Sequence, residues 1–297
     1  MNADKVFSQA EQYLTDKQYN DAIHSYTQAI NLDPTMMEAY NNRGLAYRYI
    51  NDYPRAIADH TEAIRLNPQH HLPYYNRGSV YGLMGDYPRA ISDLNHAIQL
   101  NPQHAPSYFN RGLVYDYQDD FAKALADYDE AIRLGLYDGS IYNNRGVIYS
   151  KKGDYTRARA DFDEALRLNP QDAQAYYNRG VSYGSENDLQ RALDDYTLAI
   201  RYDPNYALAY LNRGGIYGAS GDYDHALDDF NAVIRLMPQA GMGYHNRGLV
   251  YELQNKIDLA LADYDQALIN DPHHPTARQK RDALLKKKKG GRGWFRR

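Results

Sequence analysis

Residues 37–70 read MEAYNNRGLAYRYINDYPRAIADHTEAIRLNPQH. The tripeptide inside them, Asn42-Arg43-Gly44, returns at Asn76-Arg77-Gly78, Asn110-Arg111-Gly112, Asn144-Arg145-Gly146, Asn178-Arg179-Gly180, Asn212-Arg213-Gly214 and Asn246-Arg247-Gly248. Each copy stands 34 residues after the last, with no insertion or deletion. A period held that strictly means one structural unit stacked on copies of itself, because a change of length would spoil the contact between neighbours. Within the quoted stretch, helical spacing occurs twice, around Tyr40, Gly44 and Tyr47 and again at Ala56, Ile57, Ala63, Ile64 and Leu66. Asn51-Asp52 separates the two runs, and Pro54 stands where the first turn of a helix tolerates a missing N–H. Asn67-Pro68 ends the second run, since proline pushes its predecessor out of the helical region. The repeat is a helical hairpin.

This spacing divides the chain into eight units, 3–36, 37–70, 71–104, 105–138, 139–172, 173–206, 207–240 and 241–274. A capping helix over 275–287 and a basic, disordered tail over 288–297 are expected to follow. The first unit is degenerate, with Ser8-Gln9-Ala10 in place of the tripeptide, as suits the end of a stack. Alanines recur at the contact points, Ala22, Ala56, Ala90, Ala124, Ala158, Ala192, Ala226 and Ala260 among them, and let helix axes approach closely. Tyr13, Tyr47, Tyr81, Tyr115, Tyr149, Tyr183, Tyr217 and Tyr251 hold one position in all eight units and are expected in the core. A solenoid grows without a second core, so 297 residues are read as one all-α domain.

Over 3–274 these residues resemble the tetratricopeptide repeat (TPR) family: its aromatic, glycine, tyrosine, alanine and proline positions are filled by Tyr40, Gly44, Tyr47, Ala56 and Pro68. Tyr stands where the family pattern has Trp, Arg43 stands where it has Leu, and Gly135-Leu136 replaces the Asn-Pro of the fourth unit, where a glycine C-cap is expected. The resemblance implies a right-handed TPR superhelix (an α-solenoid) whose first helices line a concave groove. It also implies a peptide-binding role for the tripeptide asparagines Asn76, Asn110, Asn144, Asn178, Asn212 and Asn246, with Tyr75, Phe109, Tyr117 and Tyr177 as aromatic walls. An amide side chain has one acceptor and two donors and suits a peptide unit of any sequence. The alternative is that these amides satisfy groups within the array. The carboxylate clamp of chaperone-binding TPRs is incomplete, because its Lys and Asn positions read Asn41 and Leu45, or Tyr75 and Ser79.

The arginines have an explanation inside the sequence. An Asp follows each by sixteen residues: Arg43 and Asp59, Arg77 and Asp93, Arg111 and Asp127, Arg145 and Asp161, Arg179 and Asp195, Arg213 and Asp229, Arg247 and Asp263. The degenerate first unit has Gln9 and Ser25 instead. Across an antiparallel hairpin these positions face each other, which predicts structural ion pairs that fix helix register more than they stabilise.

No reaction chemistry is legible. The chain has no Cys, no phosphate-binding loop, no His-Glu-x-x-His and no nucleophile elbow, so an enzyme is not expected, nor a cofactor or metal. His70-His71 and His273-His274 read as solvated turn residues, and Gly290-Gly291-Arg292-Gly293 as tail. The expected function is a non-catalytic scaffold holding a peptide or protein segment in its groove. Met1 to Leu14 lacks the basic and apolar pattern of a secretion signal, and a cytoplasmic location is expected. The net charge of −4 hides an asymmetry: Lys286 to Arg297 hold four Lys and three Arg, leaving 27 basic against 38 acidic residues elsewhere. That tail, with Trp294 and Phe295, suggests an alternative function, an adaptor attached to membrane or nucleic acid.

Overall fold

The structure, a computed structural model, describes residues 2–292 and the side chains of residues 2–288. The quoted repeat is α3 (Met37–Tyr49) and α4 (Tyr53–Leu66), preceded by α1 (Ala3–Thr15) and α2 (Tyr19–Leu32). It is followed by α5 (His71–Leu83), α6 (Tyr87–Leu100), α7 (Ala105–Tyr117) and α8 (Phe121–Arg133). Then come α9 (Gly139–Lys151), α10 (Tyr155–Leu168), α11 (Ala173–Ser185), α12 (Leu189–Tyr202), α13 (Ala207–Ser220), α14 (Tyr223–Leu236), α15 (Gly241–Leu253), α16 (Ile257–Asn270) and α17 (Pro275–Arg292). The described residues are all-α, sixteen helices forming hairpins and the seventeenth closing the series.

The hairpin turns repeat as faithfully as the helices. One residue in each takes a left-handed backbone, at Lys17, Asn51, Gly85, Asp119, Gly153, Asn187, Gly221 and Asn255. In six of them the next residue is an aspartate, Asp52, Asp86, Asp120, Asp154, Asp188 or Asp222, whose side chain accepts from the backbone N–H three residues on. That bond satisfies a donor the helix start leaves orphaned. At the end of α8, Gly135 takes a left-handed φ of 92°, supplying the stop that Asn-Pro provides elsewhere.

Where the sequence implied one uninterrupted array, contacts divide the chain into two compact units, Met1–Ile141 and Tyr142–Arg297. The boundary falls inside α9. In the first unit each hairpin packs on the next, and the first helices α1, α3, α5 and α7 also touch in succession. In the second unit α10 to α17 pack in chain order, and α13 touches α15.

The tyrosines expected in the core are half-buried, Tyr81 excepted. The deepest rings come instead from the second helices: Tyr26, Tyr128, Phe162, Tyr196, Phe230 and Tyr264, at the repeat position where His60 and Leu94 also stand. Tyr47, Tyr81, Tyr149 and Tyr183 keep one face for the guanidiniums of Arg55, Arg89, Arg157 and Arg191, a place at the hairpin end that the hydroxyl and cation both favour. α17 runs beyond the expected boundary at 287, so residues 288–292 are helical rather than disordered. Ala277 and Leu284 anchor it in a core with Ala260, Leu261, Tyr264 and Ala267, and Lys288 pairs with Asp258. Trp294, Phe295 and the rest of the expected tail at 293–297 lie outside the described residues.

Candidate functional site

The side chains of the tripeptide are largely engaged within the protein. Arg43 Nε and Nη2 donate to Asp59 Oδ2 and Oδ1 at 2.8 and 2.7 Å. The same fork joins Arg77 to Asp93, Arg111 to Asp127, Arg145 to Asp161, Arg179 to Asp195, Arg213 to Asp229 and Arg247 to Asp263. A third nitrogen reaches back sixteen residues, Arg43 Nη1 to Thr27 Oγ1 at 3.0 Å and Arg179 Nη1 to Asp163 Oδ1 at 2.6 Å. Thr61, Asn95, Thr197 and Asn231 serve Arg77, Arg111, Arg213 and Arg247 alike. Each such arginine therefore ties the second helix of its own hairpin to that of the hairpin before. Sequence reasoning found the aspartates and missed this second set; an oxygen-bearing side chain at every one of these positions was the available signal.

The asparagines turn toward neighbouring first helices. Asn76 Nδ2 donates to Asn41 Oδ1 at 3.0 Å with both residues buried, and Asn178 Nδ2 donates to Asn143 Oδ1 at 2.9 Å. Asn212 Nδ2 reaches the Tyr177 and Tyr196 hydroxyls at 3.3 and 3.5 Å, while Asn110 Nδ2 donates to Ser79 Oγ at 2.7 Å. Asn144 and Asn246 hold the same position, half-buried. Of the four aromatic candidates, Tyr75 packs edge-on against His104, Phe109 against Tyr128, and Tyr177 against Tyr196 and Tyr206. Tyr117 is 71% exposed and stacks parallel to Tyr87.

Asn110 and Tyr117 belong to a cleft of about 780 Å³ in the first unit. One wall is the end of α3 and the turn after it, with Arg48, Tyr49, Asn51 and Tyr53; the other is α7, with Asn110, Leu113, Val114 and Tyr117. Between them lie Ser79, Gly82 and Leu83 of α5, Tyr87 at the start of α6, and Leu94. Leu94, which departs from the repeat, and Gly82, a glycine shared with Gly184 and Gly218, together open this space. Leu94 stands where six other hairpins have a ring and one has His60. Gly82 stands where neighbouring hairpins have Arg48 and Asp116, and a Cβ there would meet only Val114 and Ala90, at 3.5 and 4.0 Å.

Arg48 is the single charged residue lining the cleft. It is half-buried, its guanidinium lies 5.1 Å from the Tyr49 ring centroid, and it has no ion-pair partner among the described residues. Burial pushes the Tyr75 hydroxyl up, and the Arg48 charge partly opposes the shift. Behind the cleft, His60 is fully buried with neither ring nitrogen hydrogen-bonded, and burial pulls it down to about 3. His104, beside His71, is pulled down to about 4, chiefly by burial. Among the described residues no group of three or more His, Asp or Glu is arranged to hold a metal, and no helix is long and apolar enough to cross a membrane.

Repeated helical hairpins with an open, largely apolar cleft define a solenoid scaffold. Tetratricopeptide repeat profiles match residues 38–70, 71–135, 140–172, 173–206, 207–239 and 242–274, and a TPR repeat profile matches 11–48. The chain belongs to the tetratricopeptide repeat family, whose repeats make protein–protein interaction scaffolds. Among solved structures it is similar to a chain of the APC/C hetero-tetramer Cut9-Hcn1, with a TM-score of 0.66 and 17% identity. That match covers 94% of this chain and 55% of the other, so this chain spans about half of its relative's length. YrrB, a TPR protein with an unusual peptide-binding site, matches at a TM-score of 0.48 and 22% identity, over 75% of this chain and 97% of YrrB. MamA matches at 0.48 and 26%, over 58% of this chain and 94% of MamA. No curated protein sequence matches the chain at a significant level.

Proposed function

We propose that the protein is a non-catalytic scaffold that holds a segment of a partner protein in the cleft over Gly82. The observation that carries this reading is the concentration of exposed apolar side chains at one place. Tyr49, Leu83, Met84 and Tyr117 all border the cleft, and Leu83 is 62% exposed. A contiguous apolar surface rimmed by polar groups marks an interaction site, and an open cleft between helices suits a peptide inserting its side chains. Asn110 is the tripeptide asparagine at this site, held by Ser79, whose hydroxyl in turn donates to the Tyr75 carbonyl.

The test is a selection of random peptides displayed on phage against the full chain, with each enriched peptide re-measured on Leu94→Tyr. That substitution restores the ring carried by Tyr26, Tyr128, Tyr196 and Tyr264 and refills the space without disturbing the repeat. Peptides that bind the wild type and lose affinity on Leu94→Tyr, with melting temperature maintained, support the cleft. Peptides that bind both proteins equally would move the binding site elsewhere.

A further inference from the structure

We propose that the segment held by this cleft presents a carboxylate beside a bulky apolar side chain, the carboxylate pairing with Arg48 and the apolar group seated over Gly82. This rests on the cleft being the binding site, as proposed above, and adds the chemistry of what it selects. Arg55, Arg89, Arg157 and Arg191, at the hairpin turns, each pair with an aspartate three residues before, and the tripeptide arginines each hold one sixteen residues on. Arg48 stands outside both patterns. A half-buried cation without a counter-charge is costly to hold, and the cost is offset when an anion arrives.

The surroundings select the form of that anion. Tyr49 already stacks on the guanidinium, which leaves the edge, where the N–H donors point, for a two-oxygen partner. No acidic residue lines the cleft, although the chain outside its last twelve residues is strongly acidic, so the site is a positive spot in an otherwise negative body. That contrast steers carboxylates inward and turns basic segments away. Beside Arg48 the hollow is apolar, floored by Leu94 and walled by Val114, Leu113 and Tyr87. Its depth comes from the absence of a side chain at Gly82 and of a ring at Leu94. An aromatic or large aliphatic side chain takes the place of the ring that this hairpin lacks, and the Asn110 amide offers polar atoms to the backbone between the two groups.

The test uses an array of end-capped, fluorescently labelled heptapeptides in which Phe, Trp or Leu stands next to Glu, Gln or Lys, titrated against the full chain by fluorescence anisotropy. The Glu peptides bind about tenfold tighter than their Gln counterparts, as a charge-assisted hydrogen bond commands, and the Lys peptides bind weakest. Arg48→Gln removes the preference for Glu without lowering the melting temperature, because Arg48 supports no ion pair in the fold. Leu94→Tyr weakens all of them. If Gln and Lys peptides bind as tightly as Glu peptides, the assignment of Arg48 is wrong, while the cleft still stands if Leu94→Tyr abolishes binding. If none of the array binds but displayed peptides do so in a manner sensitive to Leu94→Tyr, the inferred chemistry falls and the cleft survives. Loss of both overturns the proposal together with the reading it rests on.

Discussion

The α5–α6 and α11–α12 hairpins follow one plan, and they part at the position of Leu94 and Tyr196. Both hold the arginine fork, Arg77 on Asp93 and Arg179 on Asp195, and both carry glycine at the same two positions of the first helix, Gly78 and Gly82 in one, Gly180 and Gly184 in the other. In α11–α12 the ring of Tyr196 lies against Gly180, 2.8 Å from where a Cβ would stand, and its hydroxyl comes within 3.7 Å of the same point on Gly184. In α5–α6 Leu94 takes that place and reaches Gly78, 3.0 Å from its Cβ position, but not Gly82. What the repeats share holds the stack together; what one repeat lacks makes a site.

The largest effect expected is acid loss, and it should separate the two units. His60 and His104 in the first unit and His245 in the second are all held below 6.5, mainly by burial, to about 3, 4 and 4. A depressed histidine is neutral in the fold, so as pH falls below 6.5 the unfolded chain takes up protons first and stability drops, down to the folded values. His60 alone contributes on the order of 3 kcal/mol of that loss at pH 4. Hydrogen exchange from pH 7 to 4 should show the first unit opening before the second, and His60→Leu should remove much of the difference. Equal acid sensitivity would break the distinction.

The fork, by contrast, should cost the same in both hairpins. Arg77→Ala or Arg179→Ala leaves a nearly buried aspartate without its partner and should destabilise by about 3 kcal/mol, with Asp93→Leu added to Arg77→Leu recovering most of it. Urea unfolding of the wild type, Arg77→Leu, Asp93→Leu and the double variant, with Arg77→Ala and Arg179→Ala beside them, checks this, and additive losses would refute the pairing energetics. Smaller still, and opposite in sign between the hairpins, are two glycine changes. Gly180→Ala drives a methyl into Tyr196 and should cost about 1–3 kcal/mol. Gly82→Ala places a methyl in ordinary van der Waals contact with Val114 and Ala90 and should add up to about 1 kcal/mol of thermal stability while narrowing the cleft. A destabilised Gly82→Ala would mean that Val114 and Ala90 leave no room for the methyl.

These contrasts also explain what could be read from the residues alone. A period of 34 announces hairpins because every unit must fit its neighbours, and the offset between Arg43 and Asp59 follows from the hairpin's antiparallel geometry. The depth of a ring is harder to read. Tyr47 and Tyr26 look equally apolar in sequence, yet the hairpin end leaves the first half-exposed and the helix packing encloses the second. An amide serves a ligand or a neighbouring helix with the same atoms, so the sequence leaves the asparagines open, and the 3.0 Å from Asn76 Nδ2 to Asn41 Oδ1 shows the bond between helices. The cleft was legible in part. Tyr117 reads as an aromatic wall, but the hollow depends on Leu94, one helix away, whose significance lies in a ring it does not have. Arg48 looks like any surface arginine until its neighbours are seen to be without a carboxylate.

Binding at the α5–α7 cleft is the claim on which the functional account turns, and hydrogen–deuterium exchange on the full chain, with and without a saturating Glu-Phe heptapeptide from the array, tests it most directly. The account predicts slowed exchange at the end of α3, from Ser79 through Tyr87 and along the last two turns of α7, and none of that slowing in Leu94→Tyr. Protection confined to other helices, or protection in these segments that persists in Leu94→Tyr, would contradict it.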